Sequence, residues 1–328
     1  MPSSENNEII LSVNNLVAAF QTETGLQRAV DGVSFQLKRG STLGIVGESG
    51  CGKSVTALSI MRLLPKPAGQ YLEGKILYKE NDILSLEPAM LHKIRGNRIS
   101  MIFQEPMTAL NPVQTIGKQL AEVYELHHPD MGKKDILLSS VEILDKVGIP
   151  YPENALSEYP HQISGGMRQR VMIAMALVTR PDILIADEPT TALDVTIQAQ
   201  ILSLIEELQQ ETGMSVIFIT HDLGVIAETC DDVLVMYAGK TAEIASVTDL
   251  FRDPKHPYTK GLLESIPRLE TKRKSHLNII KGMVPGLDEM PQGCRFENRC
   301  PNAMEICQST PPPLSEIDNN HFVSCYLY

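Results

Sequence analysis

The segment Gly47-Glu48-Ser49-Gly50-Cys51-Gly52-Lys53-Ser54 has the residue types and spacing of a loop that holds phosphate. Glycines let backbone N–H groups turn inward on an anion, and a helix opening at Gly52 and running through Val55 would present its positive end there. Lys53 would reach the outer phosphates, and the Ser54 hydroxyl would serve a Mg²⁺ ion. A second chemical pair, Asp187-Glu188, ends the apolar run Ile183 to Ala186. An Asp at the end of a buried strand can hold Mg²⁺ through water. A Glu one residue later is placed to polarise an attacking water as general base. Alone, the first is a Gly-rich turn and the second a solvated acidic turn. Together they describe hydrolysis of a nucleoside triphosphate.

These groups need a scaffold. Four short, continuously apolar runs, Leu43 to Val46, Ile183 to Ala186, Val216 to Ile219 and Val233 to Met236, predict strands covered on both faces, as in a parallel sheet. Val195 to Glu211 predicts a helix with Ile197, Ile201, Leu204, Ile205 and Leu208 on one stripe. The fold class is therefore α/β. Glu8 to Gln21 and Val30 to Leu37 predict strands around a turn at Thr24-Gly25, an antiparallel β subdomain ahead of the core. Residues from about 87 to 180 read as a helical insertion interrupted by a strand at Ile99 to Phe103. After Gly239 one more strand and helix are expected. The chain from about 267 onward is rich in Pro and Cys and reads as a small appendix with too few apolar residues for a core. The domains expected are 1–255 for the ATPase, with its helical subdomain at about 87–180, and 256–328 for the C-terminal region.

The chain has 328 residues, 43% apolar and 21% charged, as folded proteins have. The longest apolar run, Val171 to Val178, is far short of the ~20 residues of a membrane span. The N-terminus shows no secretory signal pattern, so a cytosolic location is expected. A net charge of −11 argues against sequence-independent nucleic-acid binding, which depends on Lys and Arg. The one compact basic run, Lys272-Arg273-Lys274, reads as a solvated linker.

Further segments resemble the ABC ATPases, in that family's own order. Ile163-Ser164-Gly165-Gly166-Met167 resembles the signature motif L-S-G-G-Q at the start of a helix, Ser164 to Thr179. In the family it grips ATP held by the opposite subunit, which implies a head-to-tail dimer with two ATPs at the seam. Met167 replaces the usual Gln, and that residue's role is not carried over. Gln104, in Met101-Ile-Phe-Gln-Glu-Pro, matches the Q-loop, which in the family also attends the Mg²⁺ ion and links to the membrane subunits. Asp194, in Ala192-Leu193-Asp194, matches the D-loop, and His221 matches the switch histidine that contacts the γ-phosphate. Phe20, 27 residues before Gly47, matches the aromatic that stacks on adenine; as a strand residue it has a core role as the alternative. The resemblance thus implies a P-loop NTPase core of ABC type with a helical signature subdomain, using ATP and Mg²⁺. Glu188, His221 and Lys53 would be its catalytic residues.

Ser164-Gly-Gly-Met-Arg-Gln-Arg-Val and Asp187-Glu-Pro-Thr-Thr-Ala-Leu-Asp-Val-Thr, with the tail segments His256-Pro-Tyr-Thr-Lys-Gly and Gly293-Cys-Arg-Phe-Glu-Asn-Arg-Cys-Pro, look like the oligopeptide/dipeptide importer subfamily. That implies a paralogous second ATPase forming a heterodimer, two integral-membrane permeases, an extracytoplasmic peptide-binding protein, and a peripheral place on the cytoplasmic face of the cell membrane. Related systems move nickel, δ-aminolevulinate or glycosides, so peptide is one reading of the cargo. The other class is the soluble ABC ATPases of DNA repair or translation; a single cassette, negative charge and the lack of heptads argue against it.

Cys294, Cys300, Cys307 and Cys325 crowd the last 35 residues. In a reducing compartment such a cluster favours metal over disulfides. The spacing fits neither paired zinc cysteines nor the tight ferredoxin run, so a tetrahedral thiolate site of unstated metal, or no metal, stays open from the residues. The subfamily resemblance implies a [4Fe–4S] cluster on these four, with zinc as second reading. Cys51 lies inside the phosphate loop, as a tolerated small residue or as an exposed thiol whose oxidation would block ATP.

Overall fold

The computed structural model describes residues 8–104, 109–189, 195–266 and 280–328. It divides into two compact units, one of residues up to Ser85 together with Phe218–Tyr328, the other Leu86–Ile217. The expected Lys272–Lys274 linker and the D-loop residue Asp194 lie outside the described residues.

In the first unit, β1 (Ile9–Thr22) and β2 (Gly25–Lys38) pair antiparallel about the tight turn, Thr22 opposite Gly25. The second strand begins five residues earlier than its apolar pattern suggested, because its first residues alternate exposed and half-buried and carry little apolar signal. β3 (Thr42–Val46) is buried throughout and runs into the phosphate loop. β4 (Gly69–Tyr78) pairs with β1, and β5 (Asn81–Asp82) closes this sheet in the order β2-β1-β4-β5. Sequence reasoning missed β4, whose first seven residues are exposed or half-buried.

The second unit holds β6 (Ile99–Ile102) and β7 (Ile183–Asp187), a fully buried parallel pair with Ile102 opposite Ala186. The helices Ile116–His127, Lys133–Lys146 and Gly165–Leu177 lie between these strands in sequence, and helix Val195–Thr212 follows them. Val147 carbonyl oxygen and Gln200 Oε1 both accept from the Arg170 guanidinium, which fastens the third of these helices to its neighbours.

The chain leaves the second unit along β8 (Ser215–Thr220). In the first unit β9 (Asp232–Tyr237) runs parallel to β3, and β10 (Lys240–Ser246) turns back antiparallel to β9. The Cys-rich tail does not stand apart as a coreless appendix. Its strands β11 (Ser315–Asp318) and β12 (His321–Val323) form a hairpin, and β12 pairs with β10. The tail compensates for its few apolar residues by borrowing a core: Phe296 packs with Tyr237 and Tyr258 at 5.0 and 5.4 Å between ring centres. Glu243, fully buried, is satisfied by His321 Nε2 at 2.7 Å and by the backbone N–H groups of Lys255 and His256. Each of these partners removes part of the desolvation cost of a buried carboxylate.

Candidate active site

The helix that follows the phosphate loop, Lys53–Ile60, opens on Gly52 at φ 100°, and no side chain caps it. Any other residue at 52 would be strained there, and a Cβ would meet the Ala29 carbonyl oxygen at 2.7 Å. A Cβ on Gly47 would collide with the Met236 carbonyl oxygen. At Gly50 (φ 79°) a Cβ would meet nothing within 4 Å, so there it is the left-handed backbone alone that favours glycine. Lys53, only 6% exposed, donates from Nζ to the carbonyl oxygens of Gly47 at 2.7 Å and Glu48 at 3.0 Å. Its cation therefore already lies inside the loop. Ser54 and Val55 are half-buried on the first turn, and Ser49 is exposed.

Cys51 is fully buried, its sulfur lying against Gly47. The exposed, oxidation-prone thiol considered from the sequence is thus corrected: burial shields it and pushes its pKa up. Phe20 is half-buried on β1, opposite Gln27 of β2 and Gly69 of β4. His221 is exposed just past β8, ahead of a helix whose N-cap, Asp222, accepts from Gly224 N–H at 2.8 Å.

In the second unit Asp187 ends β7 at 4% exposure, and Glu188 follows half-buried at φ 47°. A left-handed backbone at a non-glycine residue is a local strain of about 1–3 kcal/mol, of the sort that clusters at working sites. Gln104, exposed, donates from Nε2 to Glu188 Oε2 at 3.0 Å. Gln169, buried, donates to the Pro189 carbonyl oxygen at 2.6 Å. Sequence reasoning missed Gln169, because a Gln in an apolar helix gives no hint of its partner. Ser164 caps helix Gly165–Leu177, its hydroxyl accepting from Met167 N–H at 3.2 Å. Ser164 and Gly165 are exposed, and a Cβ at Gly165 would meet nothing within 4 Å.

Burial pushes the Cys294 thiol up to about 11, and the neighbouring thiols of Cys307, Cys300 and Cys325 add to that rise. Burial likewise raises Cys300 and Cys325. The four thiols share one neighbourhood and are the donor type for iron–sulfur or zinc. As they stand, however, no group of three or more His, Cys, Asp or Glu among the described residues is disposed to hold a metal ion.

The ABC transporter family pattern matches residues 30–191, and the oligopeptide/dipeptide transporter C-terminal region matches residues 242–307. A probable peptide ABC transporter ATP-binding protein of Sinorhizobium fredii is 52% identical over 99% of this chain and 97% of that protein. The dipeptide transport ATP-binding protein DppD of Bacillus subtilis is 54% identical over 98% of this chain and 95% of that protein. The chain belongs to the ATP-binding proteins of the oligopeptide/dipeptide ABC transporter family. Among solved structures, an ATP-binding cassette captured as a dimer in a post-hydrolysis state with ADP and Pi superposes with a TM-score of 0.65. It is 26% identical and covers 72% of this chain and 98% of its own. The cassette CbiO1 of Clostridium perfringens, part of the complex CbiONQ, superposes at 0.62 with 27% identity, covering 75% of this chain and 92% of its own. This ABC cassette is an ATPase, and no helix among its described residues is long and apolar enough to cross a membrane.

Proposed function

We propose that this ABC ATPase energises the import of oligopeptides or dipeptides through a membrane permease complex. The observation that supports it most is the full-length likeness to peptide and dipeptide transport ATP-binding proteins, with the 242–307 region included. In this reading the chain pairs with a paralogous ATPase on the cytoplasmic face of the membrane. The pair docks on two permeases, and an extracytoplasmic binding protein supplies the peptide.

The chemistry follows from the residues. The loop 47–54 closes on the ATP phosphates with Lys53 as the cation within it, and Phe20 offers its ring to the adenine. Ser54, Asp187 and Gln104 would supply the hydroxyl, carboxylate and amide oxygens that suit a hard Mg²⁺ ion. That ion, when bound, neutralises developing phosphate charge. Glu188 takes the proton of the attacking water, oriented by the Gln104 amide. His221 steadies the γ-phosphate. Ser164, Gly165 and Gly166 grip the ATP of the partner ATPase, where the Ser164 hydroxyl, still accepting from Met167 N–H, donates its own proton to phosphate. The cysteine tetrad is proposed to take a [4Fe–4S] cluster, with no step of the cycle passing through it. Anaerobic purification should find iron and acid-labile sulfide together, and absence of both would sink that assignment.

The transport reading is tested by purifying the tagged chain from its own membranes in a mild detergent. Two polytopic permeases and a second ABC ATPase should copurify, and peptide-loaded binding protein should stimulate the ATPase of the complex. Recovery without any permease would overturn it.

A further inference from the structure

The second residue of the phosphate loop, Glu48, brings a carboxylate to a place meant for a triphosphate, where like charges repel. Its counter-charge comes from 251 residues away, in the Cys-rich tail: Arg299 Nη1 donates to Glu48 Oε2 at 2.7 Å and Nη2 to Oε1 at 3.0 Å. This is the two-pronged pairing in which a guanidinium fixes both charge and direction. The Arg299 side chain is 4% exposed. Its remaining donors reach Tyr237 Oη at 3.3 Å, Ile280 O at 3.3 Å and Lys281 O at 2.9 Å, so the guanidinium is held from every side.

A second tie reaches the loop's backbone. The fully buried Tyr258 accepts the Glu48 N–H on its hydroxyl at 2.8 Å. A third runs through the turn after β9: Gly239 N–H donates to the Cys51 carbonyl oxygen at 2.9 Å. That turn is itself gripped by the tail, since Arg295 Nη1 donates to the Ala238 carbonyl oxygen and Nη2 pairs with Asp31 at 2.5 Å. Tyr237, Tyr258 and Phe296 stack edgewise under Arg299, whose guanidinium carbon lies 5.7 Å from the Tyr237 ring centre.

We propose that Arg299 and Tyr258 are positioning residues for the ATP site: the C-terminal region neutralises Glu48 and orients its peptide, and so sets how tightly the loop receives nucleotide. The proposal rests on the loop 47–54 being the ATP site. Neither residue touches the nucleotide; both act through Glu48. The tail thereby becomes a lever on nucleotide affinity.

The test is steady-state ATP hydrolysis and binding of a fluorescent ATP analogue by the full chain. Arg299→Met should raise KM for ATP about tenfold while kcat stays within about twofold, because the lost pairing is a charge-assisted, bidentate one. Adding Glu48→Gln to Arg299→Met should recover most of that loss, since no unpaired carboxylate then faces the phosphates. Arg299→Lys, which keeps the charge and loses the fork, should fall between. A residue serving the fold alone would lower the melting temperature and leave KM where it was. Equal KM in wild type and Arg299→Met, or a strictly additive cycle with Glu48→Gln, overturns the proposal. Should Arg299→Met fail to fold, Tyr258→Phe decides, because it keeps the ring and removes only the acceptor. A KM increase of about threefold is then expected, and an unchanged KM overturns it. Failure of the wild-type chain to bind the analogue would strike the ATP-site reading instead.

Discussion

The amide of Gln104 holds the carboxylate of Glu188 at 3.0 Å, joining the residues that follow two adjacent parallel strands, β6 and β7. Glu188 is therefore aimed as well as placed, on a backbone already turned to φ 47°. Glu188→Gln should keep ATP binding and lower turnover by about 10²–10⁴, the usual worth of a general base. Single-turnover hydrolysis beside analogue binding measures both. Normal hydrolysis by this variant would remove Glu188 from the role. Gln104→Ala should give an intermediate loss, because the base survives without its orienting donor.

Lys53 Nζ already bridges the Gly47 and Glu48 carbonyls, so its removal empties the loop of its one internal cation. Lys53→Ala should weaken ATP binding by about 10–100-fold, the scale of one or two charge-assisted hydrogen bonds. Equilibrium titration with the fluorescent analogue reads this directly, and unchanged affinity would count against the loop assignment.

Much of this arrangement was legible beforehand, for a physical reason. Strands buried on both faces must be apolar along nearly their whole length, so β3, β7, β8 and β9 announced themselves as short runs, and the loop and acid pair sat at the ends of β3 and β7. β4 stayed hidden because most of its length is exposed or half-buried and so shows no apolar run. The tail's place was hidden too. Nothing local in Arg299 or Tyr258 points to Glu48, over 200 residues away, since a guanidinium reads alike in a linker or against a loop. Left-handed backbone at Glu188 is likewise a tertiary imposition that a Glu does not advertise.

Gln169 is buried and holds the Pro189 carbonyl, next to Glu188. Gln169→Met keeps the volume and strands that carbonyl, which should cost about 1–3 kcal/mol of stability. Turnover should fall with it, since the residue after Glu188 loses its anchor. Urea unfolding and ATPase rates of one preparation test both effects; wild-type values for each would show the bond to be incidental.

His256 is buried at the start of helix Pro257–Glu264, where burial lowers its pKa to about 4 from the ordinary 6.5. Its Nδ1 accepts from Tyr258 N–H at 3.0 Å, a bond that needs the neutral ring. The unfolded chain binds the proton first, so stability should be full above about pH 6.5. It should fall by up to about 1.4 kcal/mol per pH unit as pH drops from there toward 4. His256→Asn, which keeps a capping acceptor without titrating, should flatten the melting-temperature profile over that window. An equally steep profile in the variant would assign the acid sensitivity elsewhere.

The hairpin β11–β12 has one more consequence. By pairing with β10 at Glu243 and Ile244 it covers the middle of that strand's outer side, and the new border is the four-residue strand Ser315-Glu316-Ile317-Asp318. A border so short, with two carboxylates on it, is a poor template for a foreign strand. A chain cut before residue 315 should therefore leave the middle of β10 uncovered and self-associate more readily, which light scattering of the two chains would read.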